Sequence, residues 1–301
     1  MRQTEERYIS LLTDFGFKRI FGSDINKDLL IDFLNSLFNG EQVVKNVTYL
    51  NSEHVGDVYA ERKAIFDVYC ENEHGEKFIV EMQNAYQTYF KDRSLYYATF
   101  PIREQGPKGD NWNFKLQHVY VVALLNNDMN EEAFSHESIN HDVGLLDKQT
   151  HKVFNNKLTF KYVEIARFNK DINELETNFD KWLYVLRNLS RLDNQPTYLR
   201  NEVFNRLFSQ AEIARFDKKE LKAYEDSLKA YRDIKNSLDT AKEEGRAEGL
   251  AEGLEKGLEK GRAEGASEKA LTIAREMLAL NISVDTIKKV TGLTDNEIHD
   301  L

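Results

Sequence analysis

Two carboxylates and an amide are the residues most able to do chemistry, and all three lie in AIFDVYCENEHGEKFIVEMQ, Ala64–Gln83. Two β-rich runs, Ala64–Cys70 and Phe78–Met82, flank the turn-forming Glu73-His74-Gly75. With a three-residue loop and Gly75 left-handed, Asn72 and Glu76 flank the turn and paired positions sum to 148. That register sets Asp67 directly opposite Glu81, with Cβ atoms roughly 4.5–5.5 Å apart on one sheet face. Period-2 alternation adds Ile65, Tyr69, Ile79 and Gln83 to this face. Phe66, Val68, Cys70, Val80 and Met82 fall on the other, the expected apolar core face.

Like charges directly opposite each other destabilise a sheet. A shared proton is one remedy. A divalent cation is another, and Mg²⁺ is typically held by one or two carboxylates plus substrate phosphate oxygens. Such an ion activates water and holds a scissile phosphate. A solvated face screened by nearby Arg or Lys accounts for the pair equally well, so spacing alone leaves metal and solvent both open.

The elements that must position these residues read as a mixed α/β layer. Asn26–Phe38 places Leu29, Leu30, Phe33, Leu34, Leu37 and Phe38 on one helical stripe, with Asn39-Gly40 as a stop. Val43–Leu50 reads as a short strand, Tyr86–Gln105 as a helix that Pro101 bends or interrupts, and Gln117–Leu125 as a buried strand. In the stretch 126–210 the expectations are a strand at Thr159–Ala166 and helices at Asp171–Leu192 and Tyr198–Phe208. The resulting division is a core over 1–126, its completion over 127–216, a long charged helix over 217–266 and a small helical module over 267–301.

The long helix carries glycine every four residues, at Gly245, Gly249, Gly253, Gly257, Gly261 and Gly265. Four residues advance a helix by about 400°, so these glycines form a slowly winding ridge without side chains. Each costs roughly 1 kcal/mol relative to Ala, and close packing of a second helix would offset that cost. The intervening charges forbid membrane insertion. A soluble self-association helix is therefore favoured over a low-complexity linker, and a homo-oligomer is expected. In the last module, Ser283 is placed to cap Val284–Thr291, Gly292 to turn the chain and Thr294 to cap Asp295–Leu301. The pattern is similar to a helix-turn-helix pair. Its mixed charges favour a protein-contact bundle over DNA readout.

Composition bounds the rest. The 301 residues carry 41 Lys/Arg against 51 Asp/Glu, a net charge of −10, which argues against coating nucleic acid by bulk charge. Residues 1–125 alone hold 14 Lys/Arg and 18 Asp/Glu, a balance of −4. A lone Cys70 cannot form an internal disulfide and favours a reducing compartment. The polar N-terminus lacks a signal-peptide pattern and no apolar run reaches about 18 residues, so a soluble, cytoplasmic protein is expected. The seven histidines show no metal-ligand spacing, and no phosphate-binding glycine loop appears.

Strand-Asp, hairpin, strand-Glu-x-Gln resembles the PD-(D/E)XK nuclease superfamily, and within it the Rpn group of recombination-promoting nucleases, also called PD-(D/E)XK family transposases. The resemblance covers roughly Leu11–Asn126. It runs through TDFGFKRIFG (Thr13–Gly22), FDVYC, IVEMQ, FKDRSLYYATFPIREQG (Phe90–Gly106) and WNFKLQHVYVVALLN, in that order. It implies a restriction-endonuclease-like fold, a central mixed sheet flanked by helices, and a Mg²⁺-dependent DNA endonuclease, Mn²⁺ being an alternative ion. It implies Asp67 and Glu81 as metal ligands, with Asp14 completing the site. Gln83 takes the place of the superfamily's lysine and offers a neutral hydrogen bond where that lysine offers charge. Lys18 lies one turn after Asp14 on the same helix face, placed to supply the missing charge, to contact phosphate or to act only as an i,i+4 partner. Arg93, Tyr97 and Lys63 are the expected substrate-binding residues, Arg62 adding charge nearby. A nuclease fold that binds DNA or protein without catalysis is the alternative that Gln83 and the negative charge motivate. Strand transfer rather than hydrolysis rests on the family's label alone.

Overall fold

The computed structural model describes residues 6–54, 64–107, 112–127, 129 and 131–301. The chain divides into two compact units, Met1–Lys235 and Asn236–Leu301. In chain order the first unit contains α1 (Asp14–Phe21), α2 (Lys27–Phe38), β1 (Val47–Tyr49), β2 (Glu53–His54), β3 (Ala64–Ile65), β4 (Val68–Asn72) and β5 (Lys77–Gln83). It continues with α3 (Phe90–Glu104), β6 (Val119–Leu125), β7 (Asn140–Leu146), β8 (Val153–Val163), α4 (Asn178–Asn188) and α5 (Glu202–Ala211). The next helix, α6 (Lys218–Ala279), begins in the first unit and ends in the second.

A six-stranded sheet of order β1-β4-β5-β6-β8-β7 organises the first unit, with β2 and β3 forming a separate pair. The β5–β6 and β6–β8 pairs are parallel, and the remaining neighbours are antiparallel. Parallel central strands are covered on both faces, which explains why every residue of β6 is buried. On one face, Val68, Cys70, Phe78 and Val80 pack with the apolar stripes of α1, α2, α4 and α5 around Trp182. The Trp182 indole N–H donates to Asp32 Oδ1 at 2.6 Å, satisfying a donor that burial would otherwise strand. On the other face, Tyr69 and Ile79 pack with Phe90, Ala98 and Phe100 of α3. The sheet face predicted to be open is therefore covered by α3, and only its carboxylate end lies at the margin. Pro101 does not end α3, which runs on to Glu104.

The hairpin register is the predicted one: Val68 pairs with Val80 and Tyr69 with Ile79. Gly75 sits at φ +75°, the left-handed conformation the loop requires. The first arm differs from expectation. It is broken at Phe66 and Asp67 into β3 and β4, so the period-2 parity is lost across the break. Phe66 consequently packs with Tyr69 and Ile79 under α3 rather than with Val68 and Cys70. Strand β7, pairing antiparallel with β8, is not expected from the sequence, because its NHDVGLL run is mostly exposed and lacks strong alternation.

The first turns of α6 belong to the core of the first unit, where Tyr224 is buried and accepts a hydrogen bond from the Ser10 N–H at 3.1 Å. In the second unit, Ala274, Ile287, Leu293 and Ile298 form a small core of α6, α7 (Val284–Thr291) and α8 (Asp295–His299). Thr294 caps α8 in a capping box, and Gly292 turns the chain at φ +75°. Ser283 occupies the N-cap position of α7 but makes no capping bond, its hydroxyl pairing instead with Thr286.

The turn before α1 sets where Asp14 and Lys18 stand. Thr13 caps the helix by accepting from the Gly16 N–H at 3.0 Å, and Gly16 lies so close that an added Cβ would meet the Ser10 carbonyl oxygen at 2.1 Å. Gly16→Ala should therefore destabilise the protein by about 1–3 kcal/mol. Urea unfolding checks this, and an unchanged midpoint would show that the turn yields freely.

Candidate active site

The site is built where the hairpin ladder stops. β4 begins at Val68, and at Asp67 side chains replace the ladder's carbonyls as acceptors. The Met82 N–H donates to Asp67 Oδ2 at 2.9 Å, and the Asp67 N–H donates to Glu81 Oε1 at 3.2 Å. Each carboxylate thus has one oxygen fixed by backbone. The second oxygens face cations at ion-pair distance: Lys18 Nζ lies 3.8 Å from Asp67 Oδ1, and Arg93 Nη2 lies 3.9 Å from Glu81 Oε2. Glu81 is only 7% exposed, while Asp67 is half-buried.

Burial and mutual repulsion dominate the protonation of this pair. Desolvation, then the neighbouring Asp67 charge, pushes the Glu81 carboxyl up to about 8. Asp67 is also raised, chiefly by burial, although the Met82 N–H and Lys18 oppose the shift. For Lys18, burial works against the charged form, but the hydrogen bond and charge of Asp14, with Asp67 and Glu81 beyond, raise it overall.

Asp14 and Lys18 form a tight i,i+4 pair at 2.6 Å on α1. The Asp14 carboxylate is thereby directed at Lys18, and among the described residues no three His, Cys, Asp or Glu side chains gather as a metal-binding group. Gln83 is 6% exposed and fully engaged. Its Oε1 accepts from Arg93 Nη2 at 2.9 Å and its Nε2 donates to the Ala85 carbonyl. Arg93 is further held by Gln87 Oε1 at 2.7 Å, and its guanidinium lies over the rings of Phe90 and Tyr97 at 5.3 and 5.4 Å. Tyr97 packs edge-on against Phe66 at 5.1 Å, and burial raises its hydroxyl pKa. Lys63 and Arg62 lie outside the described residues.

Asp67, Glu81, Gln83, Arg93 and Lys18 are thus linked by a chain of contacts from the break before β4, from β5 and from helices α1 and α3. Sequence reasoning missed two fasteners. Asn84 donates to the Leu12 carbonyl at 2.7 Å, and Asn126 donates to Asn84 Oδ1 at 3.2 Å, tying the ends of β5 and β6 to the turn before α1. Their only sequence signal is an Asn directly after each strand.

The donor set fits a hard divalent cation. It offers two carboxylate oxygens that no hydrogen bond occupies among the described residues, on side chains already fixed by backbone N–H groups. Asp67 and Glu81 face each other across the strands and carry a charge that the ion would neutralise.

A family model described as PD-(D/E)XK nuclease family transposase matches residues 11–241. A second, described as the C-terminal HTH domain of the Rpn/YhgA-like nuclease family, matches residues 267–301. The last module is therefore a helix-turn-helix domain, as its Ser283–Gly292–Thr294 pattern suggests. No curated protein and no solved structure matches the chain. Among the described residues, no helix is long and apolar enough to cross a membrane.

The raised Glu81 carboxyl has a signed consequence. Its folded pKa of about 8 exceeds the unfolded value of about 4.3, so the folded state keeps a proton that the unfolded chain releases. Without metal, this group makes stability fall as pH rises between those values. Glu81→Gln keeps the acceptor and removes the charge. In EDTA at pH 8–9 it should exceed wild type in stability by on the order of a few kcal/mol, the gap closing toward pH 4.5. Thermal unfolding across pH tests this, and parallel curves for the two proteins would refute it.

Proposed function

The chain belongs to the PD-(D/E)XK nuclease family transposases and carries the Rpn/YhgA-like helix-turn-helix domain; from that premise we propose that it is a divalent-metal-dependent DNA endonuclease with Asp67 and Glu81 as its metal ligands. The observation that carries this reading is the facing carboxylate pair, each member fixed by a backbone N–H and each leaving one oxygen toward a cation. A bound Mg²⁺ or Mn²⁺ supplies charge neutralisation at the phosphodiester and acidifies water there.

The chain's own side chains supply the rest. Lys18 and Arg93 flank the pair, placed to hold the non-bridging oxygens of a phosphodiester as negative charge grows on them. Lys18 is the closer analogue of the superfamily's lysine, carrying charge to the carboxylates from α1 instead of from β5. Gln83 is a positioning residue, because both ends of its amide are committed and one of them aims Arg93. Tyr97 supports the same guanidinium by its ring face. Asp14 serves as a further ligand only by releasing Lys18, so its loss costs less than that of either hairpin carboxylate. Hydrolysis adds water's oxygen to phosphorus, breaks one phosphoester bond and returns a proton to the departing oxygen. Attack by a DNA 3′-hydroxyl would use the same groups.

The helix-turn-helix domain provides the second DNA contact. The glycine ridge provides self-association: nothing lies within 4 Å of a Cβ built on Gly245, Gly249, Gly253, Gly257, Gly261 or Gly265, and Leu250, Leu254 and Leu258 are exposed on the same helix. A non-catalytic DNA binder is the second reading, favoured by the neutral Gln83 and by Asp14's commitment to Lys18.

Asp67→Ala and Glu81→Ala should each reduce Mg²⁺-dependent plasmid nicking by more than about 10²-fold while the protein stays folded. Lys18→Ala should lower it by a smaller factor. Undiminished nicking in both carboxylate variants would overturn the metal assignment, and its absence in wild type would establish the non-catalytic binder.

A further inference from the structure

Beside the carboxylate pair, Tyr86, Tyr89 and Tyr96 line an open cleft of about 640 Å³ together with Gln87, Asp92 and Arg93. Tyr86 is 55% exposed and Tyr89 75%. Among the described residues, neither ring packs against another aromatic ring and neither hydroxyl is hydrogen-bonded, so internal structure does not account for them. Isolated exposed tyrosines are ordinary, but a group of them around one cleft marks a binding surface.

Arg93 tells what the surface is for, because it is both a wall of the cleft and a flank of the site. Its Nη1 donates to Gln87 Oε1 on the cleft side at 2.7 Å, while its Nη2 donates to Gln83 Oε1 at 2.9 Å and lies 3.9 Å from Glu81. A phosphate drawn to Arg93 would carry its base one sugar away. Asp92 repels phosphate from the cleft itself, which leaves the neutral faces of the tyrosines for a base. Base-on-aromatic stacking tolerates any sequence, since every base has a π-face, but a base inside a duplex must first leave its stack.

We propose that this cleft holds an unpaired nucleobase by stacking on Tyr86 and Tyr89, and that the preferred substrate is DNA with single-stranded character beside the scissile bond. The proposal deepens the nuclease reading and rests on it for the place of the phosphate.

The test titrates the full chain into a fluorescein-labelled oligothymidylate, the same oligomer made abasic, and a duplex of equal length, in EDTA at low salt. Wild type should bind the oligothymidylate more tightly than the abasic strand or the duplex. Tyr86→Ala combined with Tyr89→Ala should weaken oligothymidylate binding about tenfold or more and leave the abasic strand unaffected. Tyr89→Phe, which keeps the ring, should bind as wild type does. Both tyrosines are exposed, so an unchanged thermal midpoint confirms that the double variant folds. Equal affinity of wild type for the normal and abasic strands, no measurable single-strand binding, or an unaffected double variant would overturn the cleft; the last would point to a protein contact. Mg²⁺-dependent plasmid nicking, scored in parallel, separates the two claims. Tyrosine-dependent binding without nicking removes the nuclease reading alone, and nicking with tyrosine-independent binding removes the cleft alone.

Discussion

Two carboxylates that repel each other are held face to face because each has captured a backbone N–H at the end of a broken hairpin ladder. Asp67 accepts from Met82, and Glu81 accepts from Asp67. These bonds fix the side chains and do not remove their charge. Burial deepens the conflict, as the upward shifts of both groups record. Lys18 and Arg93 stand near enough to reduce the repulsion and too far to bond the free oxygens tightly. The hairpin is therefore a frustrated arrangement that a proton relieves partly and a divalent cation would relieve more fully.

The remaining architecture serves this point. Strands β1 and β6 flank the hairpin within the sheet, and α3 closes the face on which the carboxylates lie, leaving only their end open. α1 delivers Lys18 from the opposite core, and the Asn84–Leu12 hydrogen bond fastens that helix's approach to the end of β5. Charge reaches the pair from two helices: Gln83 accepts from Arg93 of α3, while Lys18 approaches Asp67 from α1.

Much of this was legible in the sequence, for physical reasons that differ by residue. Register followed from Gly75, because a left-handed residue in a three-residue loop leaves one pairing for the two arms, Val68 opposite Val80 and Tyr69 opposite Ile79. Helix α2 followed from its apolar stripe, and the family's ordered segments were readable over the core. Parity could not foresee the break at Phe66 and Asp67, since the acceptors that replace the ladder there are the side chains of Asp67 and Glu81. The covering of their face by α3 was equally hidden, because helix-period patterning in Phe90–Glu104 does not say which sheet face it meets. Strand β7 is an exposed edge element with little pattern to read. The helix-turn-helix pattern of the last module was legible in its caps and its turn glycine, and the family comparison identifies the same domain.

The central claim is that the frustrated pair is a metal centre, and proton release on metal binding addresses it most directly. With Glu81 near 8, most of one proton resides on the pair at pH 7 and must leave when a cation binds. Calorimetric titration with Mn²⁺ at pH 7, in buffers of different ionisation enthalpy, measures that release. The account predicts one site per chain, release of close to one proton, and loss of both in Asp67→Asn combined with Glu81→Gln. Binding without proton release, or binding that survives in the double variant, would contradict it.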